Sequence, residues 1–324
     1  MRYVLRMMYK NIPGIALGFL VFSAGLIVSA SPAFAQTLSL GIYPPIIQVT
    51  TTPPSAMKQT ITIVNEADTP TSVAISVLPF TQSGEKNGQV KYLLPSQTFG
   101  SDPHIFDKIQ LLEGDQPVTA LDLAPKQKKN LTLHIGLPKD EPPGDYYFSI
   151  VFSTTGGSTI SQDGAVLTGA VATNVLLSIG PTDKTTGTLD EFSAPWFVEN
   201  GPIPFKVLAN NLSHHFIAPT GEILIKNMYG QLVGQVNLLP VNILEGTSRY
   251  IPSTSDSTLT TALWPEKVLL GPYKATLVIS LSPSGPLFRR TIYFLALPWQ
   301  YLLGFVIALF IMGIIIYRVR ERLK

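Results

Sequence analysis

Residues 130–152 read NLTLHIGLPKDEPPGDYYFSIVF. Leu131, Leu133, Ile135 and Leu137 fall on one side of a two-residue period, with Asn130, Thr132 and His134 on the other. Pro142-Pro143-Gly144 interrupts the run, and Tyr146, Phe148, Ile150 and Phe152 resume it. Strict alternation places one face in a core and the other in water, as half-buried antiparallel strands require. Pro-Pro-Gly is turn chemistry. The pattern spreads outward in both directions: Ile61 and Ile63, then Val73, Ile75 and Val77; later Phe205, Val207 and Ala209, then Tyr273, Ala275, Leu277, Ile279 and Leu281. Pro53-Pro54, Asp68-Thr69-Pro70 and Gly201-Pro202 punctuate the runs. Short alternating strands at this spacing predict an all-β chain built from β-sandwiches.

The body reads as a duplication. Pro138, Gly144 and Tyr146 have the same spacing as Pro265, Gly271 and Tyr273, and each set opens an alternating strand. Upstream of each, a strand ends in asparagine, at Val64-Asn65 and Asn210-Asn211. Gly-x-Tyr matches the tyrosine corner of immunoglobulin-like sandwiches; the two tyrosines read equally as plain inward aromatics. The expected fold is therefore two tandem immunoglobulin-like antiparallel β-sandwiches, residues 36–182 and 183–297, joined near Gly180–Gly187. About 260 residues are ample for two domains.

Both ends predict export and anchoring. Arg2, Arg6 and Lys10 precede an apolar run from Ile15 to Val28, and Ala33-Phe34-Ala35 supplies small residues for cleavage. This is a secretory signal pattern, so residues 1–35 are expected to be removed. From Tyr301 to Tyr317 there is no charge, after which Arg318, Arg320, Arg322 and Lys324 follow. Seventeen helical residues rise about 26 Å, close to the ~30 Å bilayer core. Trp299, Tyr301 and Tyr317 sit where interfacial aromatics belong. The expectation is a single-pass plasma-membrane protein: transmembrane α-helix 298–317, membrane contact through Tyr301–Tyr317, basic cytoplasmic tail 318–324, and an extracytoplasmic body. Arg289 and Arg290 pull against this orientation, but four basic residues of the tail outweigh them.

Composition narrows the function. Charged residues are 14% of the 324, the formal net charge is +2, and there is no cysteine. A near-neutral surface excludes a nucleic-acid binder, and the absence of thiols excludes cysteine nucleophiles, cysteine-ligated zinc and disulfides. The sequons at Asn130 and Asn211 read as chance matches in a bacterial envelope protein. No catalytic set stands out. His134 lies on a polar strand face, and His104 sits among Asp102 and Asp107 without a nucleophile. His214-His215 is the sharpest metal suggestion, yet neighbours on a strand point oppositely and no third ligand is near in sequence, so a turn before Phe216 is expected. Asp190-Glu191 and Glu113-x-Asp115 lack partners, and Gly156-Gly157 reads as a hairpin loop. No metal and no cofactor are expected. The stretch Thr81–Gln116 reads as a long irregular insertion carrying Tyr92, Phe99, His104 and Phe106, candidate contacts for a partner protein or glycan. The same aromatics could instead fold back as a satellite core.

Certain motifs carry a family resemblance. In the first half they are Tyr43-Pro44-Pro45-Ile46, Ile61-Thr62-Ile63-Val64-Asn65-Glu66, Leu123-Ala124-Pro125-Lys126, and Leu137-Pro138-Lys139 through Gly144-Asp145-Tyr146-Tyr147. In the second half they are Val207-Leu208-Ala209-Asn210-Asn211, Gly246-Thr247-Ser248-Arg249 and Leu270-Gly271-Pro272-Tyr273. With the order of segments, these resemble the WxL-interacting protein family of bacterial cell surfaces, although Tyr146-Tyr147-Phe148-Ser149 departs from its pattern. The resemblance implies cell-wall peptidoglycan as partner of the first domain and surface proteins as partners of the second, and no binding residue carries over. The expected function is a non-enzymatic surface binding or scaffold protein. The alternatives are a pilus-chaperone-like module, which an exposed edge strand beside a basic cleft would favour, and a wall hydrolase, which would need paired carboxylates across a groove.

Overall fold

The computed structural model describes residues 40–93, 104–154, 169–180, 184–254, 260–283 and 285–322. The proposed signal peptide, Phe99 and the Gly156-Gly157 loop lie outside these. All described elements belong to one compact unit, Ser39–Lys324. Its strands run in order β1 (Leu40–Tyr43), β2 (Ile46–Thr51), β3 (Ser55–Asn65), β4 (Thr71–Gln82), β5 (Val90–Tyr92), β6 (Ile109–Glu113), β7 (Gln116–Pro117), β8 (Ala120–Leu123), β9 (Lys128–Leu137), β10 (Gly144–Thr154) and β11 (Ala170–Ile179). They continue as β12 (Gly187–Ser193), β13 (Phe197–Val198), β14 (Ile203–Asn211), β15 (Thr220–Lys226), β16 (Leu232–Asn237), β17 (Ser248–Tyr250), β18 (Ala262–Trp264), β19 (Gly271–Ser280) and β20 (Leu287–Ala296), before helix α1 (Trp299–Arg322).

The strands make two sandwiches. In the first, sheet β1-β3-β9-β6-β7 faces sheet β2-β11-β10-β4-β5, with β8 on β4. Ile61, Leu131 and Ile135 from one side share a core with Val73, Phe148, Ile150 and Val175 from the other. In the second, β12-β14-β17 faces β13-β20-β19-β15-β16, with β18 on β14. Phe205 and Val207 there meet Ile223, Leu277 and Phe294. The alternation in β9 is realised as read: Leu131, Leu133, Ile135 and Leu137 are all buried.

One departure from the expected all-antiparallel pairing occurs twice. At Tyr43-Pro44-Pro45 the chain leaves β3 and crosses to the opposite sheet, where β2 runs parallel to β11. In the second sandwich β12 pairs with β14, and β13 then runs parallel to β20. Proline donates no ladder hydrogen bond, which suits Pro44 and Pro45 to the crossing.

The duplication extends to side-chain chemistry. Asn65 Nδ2 donates to the carbonyls of Thr69, Leu123 and Ala124 at 2.8–3.3 Å, and its Oδ1 accepts the N–H of Ala67. Asn211 Nδ2 donates to His215, Ile243 and Leu244 at 2.8–3.1 Å, and its Oδ1 accepts the N–H of Ser213. A side-chain amide offers two donors and an acceptor, and each asparagine spends them tying a strand end to a distant loop. Asn211 is fully buried, so its sequon is inaccessible to modification in the folded chain. Tyr273 combines the two roles its motif left open. It stacks on Phe294 at 5.3 Å, and its Oη accepts the N–H of Leu270 at 3.1 Å.

Two expectations are corrected. Thr81–Gln116 is not one irregular insertion: β4 continues to Gln82, the β5 hairpin follows, and a 3-10 turn at Ile105–Lys108 leads into β6. The membrane assignment is overturned as well. Among the described residues no helix is long and apolar enough to cross a membrane. The single-pass plasma-membrane placement, and membrane contact through Tyr301–Tyr317, fall with it.

The sandwiches meet at a packed seam. Every residue of β10 from Asp145 to Phe152 is buried. Tyr146, Phe148, Ile150 and Phe152 face the core between the sheets. On the outer face, Tyr147 packs with Phe80, Leu176 and Leu244, bordered by Val90, Tyr92 and Phe216. Asp145 Oδ2 accepts the Tyr147 hydroxyl and the Phe216 N–H, both at 2.6 Å, and Tyr147 Oη accepts the Glu245 N–H at 3.2 Å. Burial pushes the Asp145 carboxyl above its ordinary value of 3.8, against the pull of hydrogen bonds from Tyr147, Ser178 and Phe216. Burial and the neighbouring Asp145 charge also push the Tyr147 hydroxyl up.

Two outcomes follow from this geometry. Asn211→Ala removes the amide from the His215 carbonyl and the acceptor from the Ser213 N–H and is expected to lower unfolding free energy by at least about 2 kcal/mol in urea titration, whereas Asn130→Ala, at an exposed site bonded to Thr62, should change it by under about 0.5 kcal/mol. Equal effects would contradict the buried-amide role. For Asp145 the sign is opposite to that of an ordinary surface carboxylate. Its raised folded pKa means that the folded state takes up a proton before the unfolded one, so its burial penalty eases as pH falls from neutral toward 3.8. Asp145→Asn retains an acceptor for Tyr147 and Phe216. It should be at least as stable at pH 7 and show a flatter stability profile between pH 7 and 4; a steeper profile would refute the assignment.

Candidate functional site

A cavity of about 330 Å³ opens beside the seam. Its floor is the outer face of β2, β11 and β4, through Ile46, Leu176 and Phe80. Its roof comes from the second sandwich, through Leu239, Val241 and Leu244. Alternation explains the floor: in β2, Ile47 and Val49 point into the core, so Ile46 and Gln48 point out. The wall toward the β4–β5 hairpin is polar. Gln82 Nε2 donates to Ser248 O at 2.6 Å, and Tyr250 N–H donates to Lys86 O at 2.8 Å.

Arg249 stands in that wall. Its Nη1 donates to Asn242 O at 2.8 Å, while its Nε is buried without a partner. Burial lowers its pKa from the ordinary value. The guanidinium lies on Gly88, whose backbone has φ +84°, and a Cβ there would come 2.2 Å from Arg249 Cζ. Glycine is required here twice over, by conformation and by contact. Among the described residues no acidic side chain lines the cavity.

The open edge of β2 borders the same cavity. β2 ends its sheet, with β11 on one side and no strand on the other among the described residues. Pro45 O accepts Asn174 N–H and Thr51 O accepts Gly180 N–H. Alternate residues of a parallel ladder bond to the same neighbour, so Ile46, Gln48 and Thr50 turn their backbone groups to the open edge. Natural edges are usually guarded by charge, proline or brevity. β5 is three residues with Lys91, and β7 is two residues ending in Pro117. The six residues of β2, IIQVTT, carry none of these guards. β16 is similarly unguarded but lines no part of the cavity.

The residues singled out from sequence do not converge. Tyr92 borders the seam cluster. Phe106 turns inward, edge-on to Phe148 at 5.8 Å. His104 is on the surface, 3.3 Å from Asp107, and Phe99 lies outside the described residues. His214 and His215 sit in a bend before Phe216, and they diverge. His214 Nδ1 is 3.1 Å from Glu245, while His215 Nε2 is 3.4 Å from Thr185 Oγ1. Among the described residues no cluster of three or more His, Cys, Asp or Glu could hold a metal ion. Sequence reading missed Ile46, Gln48, Gln82 and Arg249. The available signal was Tyr147, Val151 and Phe80, large apolar residues at strand positions that alternation assigns to the outside.

No family model matches the sequence, and no curated protein matches it. Among solved structures, the chain is similar to the class 5 fimbriae chaperone CfaA, with 10% identity and a TM-score of 0.34, covering 80% of this chain and 99% of that one. It is similar to the E. coli chaperone DraB, with 12% identity and a TM-score of 0.33, covering 78% and 96% of the two chains. The Pseudomonas aeruginosa CupB2 chaperone is 8% identical with a TM-score of 0.31, covering 75% and 96%.

Proposed function

We propose that this chain is a non-enzymatic polypeptide-binding protein, a pair of immunoglobulin-like sandwiches that receives an extended segment of a partner protein along the open edge of β2. The observation that carries this reading is the unguarded edge itself. Ile46, Gln48 and Thr50 direct their backbone N–H and C=O groups to solvent beside an apolar cavity. An added strand would satisfy those groups, and alternate side chains would reach pockets on the sheet face. Arg249 supplies the basic neighbour that sequence reasoning required of such a module. Chaperone work belongs to the proteins named above; for this chain the reading rests on the edge and the cavity.

A glycosidase would need two carboxylates facing each other across a groove, and among the described residues the cavity lining contains none. The surface scaffold reading shares the non-enzymatic binding role but places recognition on Tyr92, Phe99, His104 and Phe106. Of these, Tyr92 and Phe106 are occupied with packing.

Thr50 offers the direct test, because it is exposed and its N–H faces the edge. Selection of displayed unstructured nonapeptides against the full chain should yield sequences with alternating apolar residues. Thr50→Pro, which removes that N–H, should weaken their binding at least tenfold, while Thr50→Ala binds as the wild type. Hydrogen exchange at residues 46, 48 and 50 should slow on binding. Selected peptides that ignore Thr50→Pro and leave those amides exchanging freely would sink the proposal.

A further inference from the structure

Arg249 is poorly solvated for a permanent charge. A guanidinium has five N–H donors and stays protonated in proteins. Here one nitrogen bonds a backbone carbonyl, another is buried with no partner, and no carboxylate lies within ion-pairing distance among the described residues. In the same lining, the side-chain oxygen of Asn242 is also buried without a partner. The remaining walls are largely apolar, with Phe80 and Leu176 below and Val241 and Leu244 above. A buried charge left unpaired is costly, and a carboxylate is the group whose geometry best matches a guanidinium.

We propose that the cavity between the sandwiches is a binding site for a carboxylate carried on a small apolar body. The carboxylate would face Arg249, and the apolar part would lie between Phe80 and Leu176 on the floor and Val241 on the roof. The volume of about 330 Å³ holds on the order of ten non-hydrogen atoms at ~30 Å³ each, and falls in the range of small-molecule sites. The Asn242 amide, which can present either end, completes the polar pole. This site adjoins the strand edge and shares Ile46 and Gln48 with it, but it depends on the Arg249 charge, whereas strand pairing depends on the backbone groups of β2. Because floor and roof belong to different sandwiches, an occupant would also fasten one to the other.

The test is calorimetric titration of the full chain with octanoate, a free acid of ten non-hydrogen atoms, alongside methyl octanoate. Octanoate should bind with one-to-one stoichiometry and raise the melting temperature, and the uncharged ester should bind at least tenfold more weakly. Arg249→Gln should lose octanoate binding to the same degree. If that variant loosens the seam, Ile46→Trp, at a half-exposed position of the floor, should block the cavity while leaving Arg249 in place. A peptide arm compares an apolar heptapeptide bearing one Asp with its Asn counterpart. A preference for Asp that disappears in Arg249→Gln identifies a polypeptide as a source of the same chemistry. Thr50→Pro lies outside the cavity lining and should leave octanoate binding intact, so failure here is distinguishable from failure of strand pairing. Equal binding of acid and ester, or no binding in either arm, overturns the site.

Discussion

The architecture depends on strand β10 being buried on both faces. One face fills the core of the first sandwich, as its alternation requires. The other carries Tyr147, which leaves no room for water once Leu244 and Phe216 of the second sandwich close over it. A sheet with one wet face tolerates polar outward residues; a sheet covered on both sides must hydrogen-bond every polar group it keeps. Asp145 is kept, and its Oδ2 is met by a tyrosine hydroxyl and a backbone N–H from across the seam. Apolar burial gives the seam its stabilisation, and this bonding fixes its register.

The repeated unit supplies the other half of the joint. In both sandwiches a buried asparagine ties the end of one strand to a loop far along the chain. In the first sandwich that loop, at Leu123 and Ala124, remains part of its own unit. In the second, the tied residues are Ile243 and Leu244, and Leu244 is the residue that covers Tyr147. The next residue, Glu245, donates its N–H to the same tyrosine. A device that closes each sandwich has thus become, in one copy, the support for contact between them. The segment just before it, Leu239–Asn242, roofs the cavity, so seam and cavity are set by one loop.

Electrostatics at the cavity are simple. Arg249 brings the charge, Gly88 gives it a flat backbone surface to lie on, and among the described residues no acid lines the cavity beside it. Beside it, β2 exposes an uncharged edge where most edge strands of the fold are short or guarded. A basic, half-apolar cavity next to an open ladder suits recognition of extended chains and of small acids.

The sequence by itself determined the strands, the two-sandwich order and the internal repeat. These follow from local periodicity and turn residues, and period-two patterns such as Leu131–Leu137 need no partner to be read. The repeated asparagines were visible too, although their bonding was not. Parallel pairing of β2 with β11, the packing of Tyr147 under Leu244, and the placing of Arg249 over Gly88 were decided by tertiary structure. Each joins residues far apart in the chain, with no local pattern to announce them. The C-terminal apolar run shows the converse hazard: hydropathy read as a membrane span in a chain where, among the described residues, no helix has the length and apolarity to cross. Hydropathy records the apolar content of a segment, and length together with the tertiary structure decides what that segment does.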